Sequence, residues 1–435
     1  MSTSTTPSVP ERCRHLLKQW RQELTLNGRE QNLLAGERLA LDRQLQRLEQ
    51  GHLRIAVVGR VGVGKSSLIN ALVGQNLLQT DVAHGSTRQQ HAVAWELTTP
   101  TLERIELVDT PGIDEIAGSG RERLATKITH GSDLILFVLD SDLTAVEHRA
   151  LSILLNQGKT VQLVLNRCDR WPKQELRSLV ESIRRRMPNP GQNLPLVTVA
   201  AAPRQSRLHP DGRISSERRP SDVDALTQHL IELLRCQGDL MLALNALRQA
   251  DRFQRARQQL RLQQHRKTAQ GLIGRYAAAK ATGVAVNPIL AIDLAGGMAC
   301  DTALVMQLCK LYNLPMQRAG ARQLLAQLTG QNALLGGVQL GLAALKQLLL
   351  LAAPLSAGLS LAPAAPIAVA QAALAVHATK RTGSLVATEL LNGLQRQAGQ
   401  PGALLRRLAQ QDPVVDHWLA MHPRRQELDL QLLLP

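Results

Sequence analysis

The residues best equipped for chemistry stand early in the chain. Gly59-Arg60-Val61-Gly62-Val63-Gly64-Lys65-Ser66 is a G-x-x-x-x-G-K-S pattern. The run Leu53–Val58 before it has strand character, and Ser67–Gly74 after it has helical spacing. Strand, loop, helix is the context in which this pattern cradles phosphate. Gly59, Gly62 and Gly64 let the backbone turn so that successive N–H groups face phosphate oxygens. The helix that follows adds the positive end of its dipole. Lys65 would bridge β- and γ-phosphates, and the Ser66 hydroxyl would be a Mg²⁺ ligand. The nucleotide-contacting set extends to Ser67.

Two further strand ends carry matching chemistry. Arg104–Val108 runs into Asp109-Thr110-Pro111-Gly112. A carboxylate there reaches Mg²⁺ through water, and the Gly112 N–H meets the γ-phosphate, so loss of that phosphate releases the loop. Val161–Leu165 runs into Asn166-Arg167-Cys168-Asp169. The Asp169 carboxylate accepts from both N1–H and the 2-amino group of guanine, a pair adenine does not present. Asn166 would tie this loop to the base and to the phosphate loop, and Arg167 would lay its stem along the base plane.

In this order the three motifs make the region resemble the Era/TrmE-like branch of bacterial translation-factor-related GTPases. The resemblance implies a P-loop G domain that binds GTP and GDP with Mg²⁺ and hydrolyses GTP. It puts the switch threonine at Thr87, within Ser86-Thr87-Arg88, as a second protein ligand of Mg²⁺ beside Ser66 and Asp109. Lys65, Thr87 and Gly112 are then the residues nearest the reacting phosphate. It puts the last guanine loop at Val199-Ala200-Ala201, where the family has Ser-Ala-x, so the Ala201 N–H would contact the guanine oxygen, with Ala200 beside it. Asn-Arg-x-Asp replaces the family's Asn-Lys-x-Asp and keeps the stem and the charge. Ile113 stands where Ras-like enzymes place a water-positioning Gln. Some relatives hold potassium with an Asn of the phosphate loop; Gly62 at that position argues against it. Hydrolysis is therefore expected to be slow without dimerisation or a partner. Asp114 and Arg121 are nearby helpers to be weighed against exposed loop charges.

These loops need a scaffold. Six strands are expected at Arg54–Val58, His91–Leu97, Arg104–Val108, Leu134–Leu139, Val161–Leu165 and Leu196–Ala200. Several are apolar throughout, as in a mainly parallel sheet covered by helices on both faces. Arg204–Ser221, rich in Pro, Ser and Arg, reads as a surface loop. Four zones follow: a helical segment over 1–50, the G domain over 51–245, a basic helical linker over 246–281 and an all-α domain over 282–435. In the first, Leu17, Trp20 and Leu24, and Leu41, Leu45 and Leu48, mark buried helix faces. The third, with nine Lys and Arg against Asp251 between Arg248 and Lys280, reads as a solvated helix.

Composition narrows the partners. The 435 residues carry 51 Lys+Arg against 35 Asp+Glu, a net +16, which favours an anionic partner. Aromatic residues are only 2%, too few for the stacking platforms of single-strand readers, so nucleic acid is disfavoured. The five cysteines are scattered without C-x-x-C spacing, which fits a reducing cytosol rather than disulfides or zinc. The N-terminus has no apolar run after a basic start, so no signal peptide is expected.

Asn287–Asp301, continued by Leu304, Leu308, Leu311, Tyr312 and Pro315, resembles the helical, often membrane-associated domain that follows Era-like G domains in many bacterial proteins. Asp293, Gly297 and Asp301 share a helix face, as a cation site or as ordinary capping and packing contacts. Gln347–Thr379 carries no formal charge. Its length suits a re-entrant or hairpin insertion, while Pro354, Pro363 and Pro366 suit buried bundle helices or a shallow interfacial face. The basic linker would meet anionic lipid. The sequence thus reads as a GTP-binding switch on the cytoplasmic side, coupled to a membrane surface or a protein partner, including a second copy of the chain. A membrane scaffold assembled by GTP, with incidental turnover, is the alternative.

Overall fold

The protein is described from a computed structural model over residues 8–78, 91–114, 128, 131–189, 191, 194–208, 214–286, 290–312, 321–323, 325, 373, 376–387 and 400–422. Thr87, with Ser86 and Arg88, lies outside them, as do Arg121 and all but the last few residues of Gln347–Thr379. The chain divides into two compact units, Met1–Gln254 with Ala398–Glu427, and Arg255–Gln397 with Leu428–Pro435.

In the first unit, α1 (Val9–Glu23) starts at a capping box in which Ser8 and Glu11 satisfy each other's backbone N–H. It buries Cys13, Leu17 and Trp20, and Trp20 meets Phe253 edge-on at 6.4 Å. After α2 (Gly28–Leu33), α3 (Ala35–Glu49) buries Leu41 and Leu48. Gln44 of α3 donates to the fully buried Asp133 carboxylate at 2.8 Å, which ties the helix to the sheet.

The sheet is six-stranded in the order β2-β3-β1-β4-β5-β6. Its strands are β1 (His52–Val58), β2 (His91–Trp95), β3 (Arg104–Asp109), β4 (Leu134–Leu139), β5 (Thr160–Leu165) and β6 (Leu196–Thr198). β2 is antiparallel to β3 and every other pair is parallel. β4 is buried along its whole length, which is why it carries no polar residue. The register sets Val57 beside Asp109, Val58 beside Phe137, and Leu139 beside Leu165. The loops leaving β1, β3, β4 and β5 therefore share one sheet edge, where ligands of open α/β sheets bind. α4 (Lys65–Val73), α5 (Ala145–Asn156) and α6 (Lys173–Arg186) follow β1, β4 and β5. Leu151, Leu154 and Ile183 of α5 and α6 join Phe137, Leu139 and Leu163 in one core.

Two sequence expectations are corrected. Arg204–Ser221 is not all loop: β7 (Arg204–Leu208) and β8 (Ile214–Arg218) form an antiparallel hairpin. Its described faces are mostly exposed, so no apolar alternation announces it. The basic stretch 248–280 is not solvated all round. It lies within α7 (Asp224–Val286), and Arg248, Asp251, Phe253 and Leu262 are buried. Arg248 donates to the carbonyls of Gly158 and His422. Its guanidinium lies 4.3 Å from the ring centre of Trp418. Trp418 belongs to α10 (Pro413–Met421), which follows α9 (Pro401–Gln411).

This corner should respond to pH. Burial, with Arg248 beside it, pushes the His422 imidazole down from 6.5 to about 4, against its hydrogen bond to the Trp418 carbonyl. Below 6.5 the unfolded chain takes the proton first, so stability falls as pH drops from there toward about 4. The loss is about 2 kcal/mol by roughly pH 4.5. Denaturant unfolding followed across this range should show that slope, and His422→Gln should flatten it.

In the second unit, α7 beyond Arg255 packs Leu262, Ala269 and Ile273 against Leu304, Val305 and Leu308 of α8 (Leu290–Leu311). Lys280 donates to Asp301 at 2.7 Å. Asp301 is thus ion-paired to Lys280, whereas the side chain of Asp293 lies outside the described residues. No His, Cys, Asp and Glu cluster suited to a metal occurs among the described residues. Among them, too, no helix is long and apolar enough to cross a membrane.

Candidate nucleotide-binding site

The phosphate loop is shaped by what its glycines lack. A side chain on Gly59 would strike the Val138 carbonyl of β4, so the loop leaves β1 pressed against its neighbour. Gly62 and Gly64 have φ of +79° and +91°, values that favour glycine. A Cβ on Gly64 would also lie 2.5 Å from Asn166 Nδ2. Left-handed residues of this kind turn consecutive amides to one side, which makes a nest for an anion.

Lys65 opens α4, is 8% exposed, and folds back over the loop. Its Nζ donates to the Arg60 carbonyl at 2.8 Å and the Gly59 carbonyl at 3.2 Å. Ser66 Oγ donates to Asp109 Oδ2 at 2.5 Å, joining the start of α4 to the end of β3. Ser67 is half-buried in the same helical turn.

The segment after β3 is fastened to the phosphate loop. Thr110 Oγ1 donates to the Val57 carbonyl at 2.7 Å, an anchor the motif reading did not identify. Ile113 N–H reaches the Gly59 carbonyl at 3.2 Å. Gly112 sits so close to Val61 that a Cβ would lie 2.8 Å from its amide nitrogen. The Asp114 carboxylate accepts from that same amide at 2.7 Å. Asp114 is thus in contact with the loop rather than merely near it.

Asn166 is the hub. Its Nδ2 donates to the Val63 carbonyl at 2.8 Å, and its Oδ1 accepts from Arg167 N–H at 2.8 Å and Ala201 N–H at 3.0 Å. One buried amide therefore joins three loops. Ala200 pairs its backbone with Asp222 in both directions. Arg167, at φ 61°, reaches the Gly62 carbonyl and Asp140. Asp169 stands exposed in the short 3₁₀ turn Cys168–Arg170. Burial, with Asp222 and Asp169 nearby, pushes the Cys168 thiol up, which disfavours the thiolate.

Three charged residues escaped the sequence reading. Arg60, inside the phosphate loop, donates to Glu147 at 2.8 Å and to Asp140 at 3.1 Å. For Glu147 the signal was the capping box Thr144-x-x-Glu147. For Asp140 it was an acid directly after a buried strand on the ligand-binding edge.

The residues fit a magnesium nucleotide. The nest is built, and Ser66 and Asp109 bring hard oxygen donors together beside it.

Two stretches of the chain match known protein families. Residues 54–167 match the family described as 50S ribosome-binding GTPase. Residues 248–413 match the family described as domain of unknown function (DUF697). GTPase Der of Bartonella tribocorum is 39% identical over 123 residues, covering 27% of this chain and 25% of Der. GTPase Der of Allorhizobium ampelinum is 38% identical over 121 residues, covering 26% and 25%. The chain thus spans about a quarter of the length of the curated relatives it matches. Among solved structures, Aquifex aeolicus Era bound to GDP·AlF4− is similar over 42% of this chain and 56% of its own, at 22% identity and a TM-score of 0.33. The chain carries a GTPase domain homologous to that of Der, followed by a DUF697 region.

Proposed function

We propose that the chain binds GTP and GDP with Mg²⁺ and hydrolyses GTP slowly, as a switch read by its helical region. The convergence of three loops on Asn166 supports this reading, because it holds the phosphate loop and the Asn166–Asp169 loop together on one sheet edge. Gly59, Gly62, Gly64, Lys65, Ser66 and Ser67 would hold the phosphates. Asn166, Arg167 and Asp169 would hold the guanine, with Ala201 and Ala200 beside it. Ser66, Asp109 and Thr87 would hold Mg²⁺, which when bound neutralises charge on the β- and γ-phosphates. Gly112 would sense the γ-phosphate.

Slow turnover follows from Ile113, which is 4% exposed and offers no group to orient water. Lys65→Ala should weaken GTP binding at least about a hundredfold, since it removes a charge-assisted contact to two phosphates. Titration of the purified, magnesium-supplied protein with labelled GTP and ATP checks both points, and equal affinity for the two would refute the guanine reading.

The helical region over 282–435, joined through 246–281, would pass the nucleotide state to a cytoplasmic membrane surface or to a protein partner. The net charge of +16 supports an anionic surface. Hydrolysis indifferent to protein concentration and to anionic vesicles favours a partner-controlled switch. A rate climbing steeply with either favours a nucleotide-assembled scaffold.

A further inference from the structure

We propose that Asp140 is a positioning residue of the nucleotide site, locking the phosphate loop and the guanine loop at a fixed spacing through two arginines. Asp140 directly follows β4 and uses both carboxylate oxygens. Oδ1 accepts from Arg60 Nη2 at 3.1 Å, and Oδ2 accepts from Arg167 Nη1 at 2.9 Å. Arg60 belongs to the phosphate loop and Arg167 to the guanine loop.

Each arginine has a second anchor. Arg60 Nε donates to Glu147 Oε1 at 2.8 Å, and the Glu147 side chain is fully buried. Arg167 Nη2 donates to the Gly62 carbonyl. The path from Arg60 through Asp140 and Arg167 to Gly62 therefore leaves the phosphate loop and returns to it two residues later. It closes a ring around the segment that bears the nest. Side-chain exposures of 28%, 18% and 32% for Arg60, Asp140 and Arg167 keep these pairs partly screened from water.

The ring accounts for arginine in Asn166-Arg167-Cys168-Asp169. A lysine ammonium is a point charge that would serve one of the two acceptors. A guanidinium is a planar fork that holds the Gly62 carbonyl and the Asp140 carboxylate together. Asp140 acts only through its neighbours, so its loss loosens the nest without removing a group from the nucleotide. The cost should appear in how long nucleotide stays, because a preorganised site gains affinity by avoiding ordering on binding.

This inference rests on the guanine-nucleotide reading, and one set of measurements separates the two. Dissociation of a fluorescent GDP analogue is followed for the full chain, Asp140→Asn, Arg167→Lys and the double variant, with steady-state GTP hydrolysis alongside. Asp140→Asn should release the analogue roughly tenfold faster and raise KM by a similar factor, with kcat at saturating GTP within about twofold of the parent. Arg167→Lys, which keeps the stem that would lie along the base, should also release the analogue faster, and the double variant should release it less fast than the product of the two single effects. Should Asp140→Asn not fold, Asp140→Ser takes its place with the same expectations, and parental release there overturns the proposal. Parental release in Asp140→Asn, additive effects in the double variant, or a loss in kcat at unchanged KM would each overturn it while leaving the nucleotide reading intact. A parent protein that binds no guanine nucleotide overturns both.

Discussion

Asp169→Asn should lower GTP affinity by about a hundred- to a thousandfold and leave the protein's melting temperature unchanged. The carboxylate is acceptor-only, and guanine presents two adjacent donors, N1–H and the 2-amino group. Asparagine keeps one acceptor and sets a donor against the other donor. That loses one charge-assisted bond and weakens the second, and bonds to charged groups contribute about 1.5–3 kcal/mol each. The side chain is exposed in its 3₁₀ turn, so folding should not register the change. Xanthine carries an oxygen where guanine carries the amine, and the asparagine amide would donate to it. XTP should therefore gain on GTP in a competition assay. A variant that binds GTP as the parent does would remove Asp169 from the base site.

How much of this was legible follows from where each signal lives. The phosphate loop, Asp109–Gly112 and Asn166–Asp169 are contiguous strings, and each sits at the end of an apolar run. Local chemistry and local structure therefore announce each other, and five parallel strands bring the strings to one edge. Arg60, Asp140 and Arg167 are joined across about eighty and about thirty residues by side chains alone, which no periodicity encodes. The Arg204–Arg218 hairpin was missed because an exposed two-stranded ribbon needs no apolar face. Arg248 was misread for the opposite reason. Its charge counted toward a solvated helix, yet its partners are the Gly158 and His422 carbonyls and the Trp418 ring, all distant in sequence. The Leu- and Ala-rich C-terminal third carries no comparable string, and apolar runs report packing and little else.

The same logic sets the second large expectation. Asn166→Ala should abolish measurable nucleotide binding and also destabilise the nucleotide-free protein, a combination that separates a hub from a contact residue. Asn166 is 2% exposed. Its removal strands the Val63 carbonyl and the N–H groups of Arg167 and Ala201. A buried polar group left unpaired costs about 1–3 kcal/mol. Arg167 is half-exposed and can recover water, so the sum is nearer 3 kcal/mol than the maximum. For a domain of this size that lowers the melting temperature by roughly 6–12 °C. Binding fails for a separate reason: Asn166 Nδ2 packs against Gly64, and without it the left-handed turn that opens α4 loses its wall. Asp169→Asn moves specificity without moving stability, whereas Asn166→Ala moves both. An Asn166→Ala protein that melted with the parent and still bound GTP would show that the three loops are held together by something other than this amide.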